Sequence, residues 1–138
     1  MSLDPSIVGR RYPTTAPYTV STEKVREFAR AVGTPYDGPE GPVSQVPATF
    51  PIVLAFAAMN GFLEAEEVDL SRIVHGEQSF TYERPVAPGD VLTARLTISS
   101  VRSLGGADVV ATSSAITDPD GGLVCTATAT LVHRGEAA

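Results

Sequence analysis

The sequence contains very few of the residues that bind metals or form covalent cross-links. Its 138 residues include one cysteine, Cys125, and two histidines, His75 and His133. A single cysteine cannot form an internal disulfide, and one thiol with two imidazoles is too small a set for a metal cage. No glycine loop of the phosphate-binding type opens a helix. The sequence therefore implies neither a metal nor a redox cofactor.

Basic residues are outnumbered by acidic ones. Ten Lys and Arg against sixteen Asp and Glu give a net charge of −6, which disfavours nucleic acid and anionic membrane as partners. No apolar core follows basic residues in MSLDPSIVGRRY, so we expect no signal peptide and a cytoplasmic protein. A chain of this length fits one domain, with a core over about residues 14–133.

Charge is absent from the stretch Pro47–Leu63, PATFPIVLAFAAMNGFL, where Asn60 is the one polar residue after Thr49. A helix that is apolar on every side is expected to be buried on every side. This one is too short to span a bilayer, which needs about 20 apolar residues. We expect Thr49 to cap its start and Gly61 to leave the last residues as a frayed end.

The segments around this helix are more polar and more periodic. Residues 1–13 are predicted to be an irregular arm and residues 14–20 a short strand. Ser21 or Thr22 is expected to cap an amphipathic helix that ends at Gly33, with an apolar stripe of Val25, Phe28, Ala29 and Val32. The Pro- and Gly-rich residues 34–46 are predicted to be a loop, of the kind in which sites are often built.

Four strand-like segments follow the buried helix. They are separated by turn signals and cover residues 73–84, 91–101, 107–117 and 123–133. Gly76 interrupts the first of them and suggests a bulge or a close backbone approach. Consecutive strands with short turns predict an antiparallel meander. An antiparallel sheet of about five strands wrapped around one long buried helix is an α+β protein of the hot-dog fold.

Three pieces of the chain together resemble a known family. They are PATFP at the buried helix, VHGEQSFTYERPVAPGD on the first long strand and its turn, and the final strands. They resemble the MaoC-like hot-dog dehydratases, in particular the group related to the N-terminal half of MaoC dehydratase. The chain is similar there to the A- and C-type subunits of actinobacterial (3R)-hydroxyacyl-ACP dehydratase. The resemblance covers about residues 5–134.

This resemblance implies a dimer of hot dogs joined edge to edge, with an acyl-CoA or acyl-ACP thioester beside the central helix. The implied reaction is reversible dehydration of a 3-hydroxyacyl thioester, which needs a His base and an Asp acid on the loop before the helix. Backbone N–H groups at the helix N-terminus, here those of Thr49 and Phe50, would stabilise the enolate-like oxygen.

The sequence departs from that pattern in the catalytic loop. Asp37 stands in roughly the right place, but residues 38–74 contain no histidine. The chain therefore resembles the non-catalytic, acyl-chain-binding half of a heterodimer, and a homodimer with altered chemistry stays open. The alternatives are an acyl-thioester-binding module without catalysis and a hot-dog thioesterase, although residues 50–63 carry no carboxylate to activate water.

The remaining candidate residues each have two interpretations. Asp37 is a surviving acid or a turn former, and His75 is a polar group at the tunnel mouth or a strand-end residue bonded to backbone. Tyr36 lines the tunnel or covers the helix start. Gln78 is a substrate-binding candidate that faces either the dimer edge or solvent. His133, next to the tail, is expected to be exposed.

Overall fold

The computed structural model describes residues 3–135 and places one five-stranded sheet against two helices. The helices are α1, Thr22–Val32, and α2, Ile52–Ala65. The strands are β1, Tyr18–Thr19; β2, Ile73–Tyr82; β3, Val91–Leu104; β4, Ala107–Thr117; and β5, Leu123–Arg134. Every strand pair is antiparallel. This curled sheet packed on α2 confirms the predicted α+β hot-dog fold.

The order of the strands differs from the predicted four-strand meander. The sheet runs β1-β3-β4-β5-β2, so β2 pairs with β5 rather than with β3. Residues 83–90 cross from one side of the sheet to the other. Three interstrand spacings amount to about 14 Å, and an extended segment of this length reaches about 26 Å. A short connection therefore does not force β2 and β3 to be neighbours.

Helix α2 packs its apolar side on the concave face of the sheet. Phe62 is fully buried and Leu54 and Ala58 are nearly so, but Phe56 is 45% exposed and Asn60 is exposed. The prediction that α2 is buried on every side is therefore wrong, because one sheet covers only one side of a cylinder. Within residues 3–135, no helix is long and apolar enough to cross a membrane.

The ends of α2 also differ from the prediction. Pro51 occupies the cap position and no side chain caps the helix, so Thr49 is not its cap. The turn before it is closed by backbone bonds, such as the one from Ile52 N–H to Thr49 O at 3.0 Å. Gly61 does not fray the helix, which continues to Ala65 because the next two side chains are buried.

Helix α1 follows its sequence signals closely. Ser21 Oγ accepts a hydrogen bond from Lys24 N–H at 3.0 Å, and Gly33 ends the helix in the left-handed conformation with φ of 73°. Val25 and Ala29 are buried as predicted. Val32 is 49% exposed, so the predicted apolar stripe covers only the first two turns.

An N-terminal arm covers one edge of the sheet. Its N–H groups at Gly9, Tyr12 and Thr15 donate to carbonyls of β3 at 2.8, 3.0 and 2.9 Å. Leu3 and Ile7 are buried with Tyr12 in the main hydrophobic core, which therefore extends N-terminal of residue 14. Strand β2 forms the opposite edge of the sheet. It pairs with β5 on one side and has no strand on its outer side within residues 3–135.

The arm is fastened to the end of α2 through one carboxylate. Tyr12 Oη donates to Glu66 Oε2 at 2.5 Å, and Arg10 Nη1 donates to the same oxygen at 2.7 Å. The Tyr12 ring also packs edge to face on Phe62, with centroids 5.1 Å apart. The bond from Tyr12, followed by Arg10, holds the pKa of Glu66 below its usual value of 4.5.

Removal of the Phe62 ring is expected to destabilise the fold strongly. Phe62→Ala leaves a cavity between α2 and the sheet and should lower the free energy of unfolding by about 3–5 kcal/mol. Leu104→Ala, at a residue that is 69% exposed, should change it by less than about 0.5 kcal/mol. Urea unfolding followed by circular dichroism measures both, and equal losses would contradict the assigned core.

The Glu66 cluster predicts a defined dependence of stability on pH. Because the pKa of Glu66 is lowered in the folded state, its ionised form stabilises the fold above pH 4.5 and loses this effect as pH falls. The stability difference between wild type and Glu66→Gln should therefore shrink below pH 4.5. Glu64→Gln, at an exposed position on the same helix end, controls for the lost charge; a constant difference would contradict the prediction.

Candidate functional site

A β-bulge at Gly76 brings two candidate side chains to the same face of β2. The pairing with β5 shifts between His75 and Glu77, as the position of Gly76 predicted. In a regular strand, residues three apart point to opposite faces. The extra residue places both His75 and Gln78 on the concave face, where His75 Nε2 lies 3.0 Å from Gln78 Oε1.

These two residues stand at the open edge of a cleft between α2 and the sheet. The floor of the cleft is a trough on β5, formed by Ala127 and Ala129. On β4 the trough is flanked by Ser114 and Thr112, which pair with these two alanines. On β2 it is flanked by Phe80 and Gln78, which pair with the same alanines from the other side. Two interstrand spacings make the trough about 10 Å wide.

Helix α2 forms the roof of this cleft. It contributes four apolar side chains, Ile52, Ala55, Phe56 and Met59. The free space between roof and floor is small, about 10 Å³ for a water-sized molecule. An acyl chain can enter only if a roof side chain moves. Phe56 is the side chain most able to do so, because it is 45% exposed beside the open edge.

A second, larger cavity lies at the N-terminus of α2. Its volume is about 400 Å³, and Tyr82 links its two sides by donating a hydrogen bond to Ala48 O at 2.5 Å. Burial raises the pKa of Tyr82 to about 12. It is lined by residues of the loop before α2 and of the crossing segment, Gln45, Val46, Ala48, Tyr82, Glu83, Arg84, Pro85 and Val86.

The two backbone donors expected at this end of α2 differ in their availability. Phe50 N–H already donates to Pro47 O at 2.9 Å, so a ligand oxygen would have to share or replace that bond. Among residues 3–135, the N–H group of Thr49 has no acceptor, and Thr49 is exposed. The role of both groups toward a thioester oxygen stays a prediction.

The loop before α2 uses Asp37 to hold its own turn. Asp37 Oδ2 accepts a hydrogen bond from Val43 N–H at 3.1 Å, and its N–H donates to Val43 O at 2.7 Å. No hydrogen bond or ion pair within residues 3–135 joins Asp37 to a histidine. The nearby Tyr36 hydroxyl is buried without a hydrogen-bond partner. These contacts fit the turn-forming interpretation of Asp37.

The prediction that His133 is exposed is wrong. It is 4% exposed, and its Nδ1 lies 3.7 Å from Oδ2 of Asp108, which is also buried. Asp108 Oδ2 additionally accepts a hydrogen bond from Leu3 N–H at 2.8 Å. The N-terminal arm therefore helps to bury His133, although this residue lies next to the C-terminal tail in the sequence. Cys125 is buried, as its alternation predicted, and burial raises the pKa of its thiol.

Sequence reasoning missed most polar residues of the two cavities, among them Thr112, Ser114 and Tyr82. Thr112 and Ser114 belong to a strand that alternates with Val110 and Ile116, and that alternation was the available signal. Within residues 3–135, no three His, Cys, Asp or Glu side chains are grouped closely enough to hold a metal ion.

A curled antiparallel sheet, a central helix on its concave face and an apolar cleft at the open edge define a hot-dog protein of the MaoC-like dehydratase class. Residues 6–127 match the family model described as "FAS1-like, dehydratase domain region". The chain belongs to this family. A UPF0336 protein of Clavibacter michiganensis is 46% identical over 147 residues, which cover 99% of both chains.

Solved structures also match the chain, some of them at more than 30% identity. One belongs to the C-terminally truncated HadBC complex of Mycobacterium tuberculosis, a (3R)-hydroxyacyl-ACP dehydratase. It is 34% identical with a TM-score of 0.78, over 96% of this chain and 99% of that one. A MaoC-like dehydratase is 31% identical with a TM-score of 0.78, over 94% of this chain but only 42% of its own length.

The raised pKa of Tyr82 predicts how its bond to Ala48 responds to alkaline pH. A neutral phenol favoured by folding contributes stability that is present below pH 10 and is lost as pH rises toward 12. The stability advantage of wild type over Tyr82→Phe should therefore decline between pH 10 and pH 12. Urea unfolding across this range measures it. An advantage that persists unchanged to pH 12 would contradict the role of the phenol.

Proposed function

We propose that this chain is the acyl-chain-binding, non-catalytic subunit of a (3R)-hydroxyacyl-thioester dehydratase that acts on acyl-CoA or acyl-ACP in fatty-acid-type metabolism. The observation that carries the proposal is the combination of an apolar cleft under α2 with a preceding loop whose one candidate acid, Asp37, is engaged in a turn. The chain offers a place for the acyl group without an acid–base pair beside it.

The positions of the histidines support the non-catalytic role. Dehydration needs a base and an acid within hydrogen-bond reach of the reacting carbon and the leaving hydroxyl. The pair His133–Asp108 lies far from the N-terminus of α2. His133 is eight residues along β5 from Cys125, the partner of Tyr82, which corresponds to about 26 Å. His75 is closer to the cleft, but its neighbour is an amide, which supplies no acid.

The exposed surface formed by β2 and α2 supports the proposal that a partner subunit binds here. Strand β2 presents unpaired backbone groups along one edge, and Val74 on that strand is 48% exposed. Phe56 and Asn60 of α2 are exposed on the helix above it. An uncovered strand beside an apolar surface favours pairing with another chain. A second hot-dog subunit, aligned edge to edge, would cover both and bring its own catalytic loop to the cleft.

The compared structures support the same arrangement. One matching chain belongs to a dehydratase complex named for two components, HadB and HadC. In the MaoC-like dehydratase, the matched part makes up 42% of a longer chain, which leaves room for a second unit of similar size. Both are consistent with a hot-dog subunit that works beside another one.

Enzyme assays with and without a partner test the proposal. The purified chain alone should not hydrate crotonyl-CoA or a longer trans-2-enoyl-CoA, because no acid–base pair within residues 3–135 lies beside the cleft. Addition of a hot-dog subunit that carries an Asp–His loop should produce hydration, measured as the loss of enoyl-thioester absorbance. Activity of the chain alone would contradict the non-catalytic role, and Asp37 and His75 would then be the residues to mutate.

Two matched variants locate the acyl chain in the active pair. Ala129→Leu fills the trough and should abolish turnover of the longer enoyl-CoA, whereas Thr128→Leu, on the opposite face of β5, should leave it unchanged. Binding of enoyl-CoA without turnover under every pairing would instead identify an acyl-thioester-binding module. Hydrolysis of acyl-CoA would identify a thioesterase.

A further inference from the structure

Two buried hydroxyl groups form one wall of the cleft. Ser114 and Thr112 are 3% and 4% exposed, and both line the space under α2. The Thr112 hydroxyl lies 3.5 Å from Ala129 O, which is a long and weak hydrogen bond. No side-chain hydrogen bond joins the Ser114 hydroxyl to another group within residues 3–135, and its oxygen is not fully buried. The Ser114 hydroxyl is therefore open to a group that enters the cleft.

The register of the sheet locates these hydroxyls relative to the N-terminus of α2. Tyr82, which is bonded to Ala48 at that end, lies in the same row of the sheet as Cys125 and Ile116. Ser114 lies one row further into the cleft. Two residues along a strand advance about 7 Å. A chain that enters at the N-terminus of α2 therefore meets the Ser114 hydroxyl several carbon atoms beyond the thioester.

We infer that Ser114 donates or accepts a hydrogen bond with an oxygen atom on the acyl chain, beyond the reacting carbons. This subunit then selects acyl thioesters whose chain carries a hydroxyl or keto group past C3, over plain acyl chains of the same length. The inference rests on the proposed function, since it requires the acyl chain to occupy this cleft. Thr112, one row deeper, extends the same polar wall.

Binding of matched ligands tests this selection. Isothermal titration compares octanoyl-CoA with octanoyl-CoAs that carry one hydroxyl on C5, C6 or C7, using the full chain alone and with the catalytic partner. At least one hydroxylated ligand should bind about threefold to tenfold tighter than octanoyl-CoA. Ser114→Ala should remove this preference, so that octanoyl-CoA and the hydroxylated ligands bind the variant with similar affinity.

Control variants separate ligand recognition from folding. Ser113→Ala changes the same residue type on the opposite face of β4 and should keep the preference. Ser114→Ala should keep a cooperative unfolding transition near the wild-type temperature, because it removes one hydroxyl and leaves the apolar contacts of β4 in place. Thr112→Val, of similar shape, provides a second variant of the wall.

The outcomes distinguish failure of the inference about Ser114 from failure of the proposed function. Equal affinity of wild type for plain and hydroxylated ligands overturns the inference and leaves the proposed function standing, because acyl chains still bind. The same holds if Ser114→Ala and Ser113→Ala behave alike. Failure of both the chain and the pair to bind any acyl-CoA overturns the proposed function, and this inference falls with it.

Discussion

The packing of α2 against the concave face of the sheet is the interaction on which the rest of the structure depends. Phe50 and Phe62, at the two ends of this contact, are fully buried, and complete burial of such a side chain contributes about 1.5–3 kcal/mol. A curved sheet covers one side of a helix and leaves the other free. The exposure of Phe56 therefore follows from the same contact that buries Phe62.

The two edges of the sheet differ in how they are covered, and this difference determines where the cleft opens. The N-terminal arm covers β3 and is held at Glu66 by Tyr12 and Arg10. Residues 83–90 connect β2, at the other edge, to β3. Within residues 3–135, no strand pairs with the outer side of β2. The cleft opens at that edge, so it lies directly beside β2.

The polar residues of the cleft are placed by long-range pairing. His75 and Gln78 meet only because a bulge at Gly76 moves them to one face. Ser114 stands opposite Phe80 across Ala127, although the chain separates these residues widely. The trough thus combines small side chains on one strand with polar side chains on its two neighbours.

The sequence by itself determined the local elements: a cap at Ser21 or Thr22, the stop at Gly33, an irregularity at Gly76 and the long strands. Each follows from periodicity or from backbone preferences of adjacent residues. Only the tertiary structure decided that β2 pairs with β5, that one side of α2 is uncovered and that His133 is buried. These depend on which distant segments meet, and local periodicity carries no information about that. The absence of a histidine from the loop before α2 is visible in the sequence. The position of Ser114 and Thr112 beside the cleft follows only from the register of three strands.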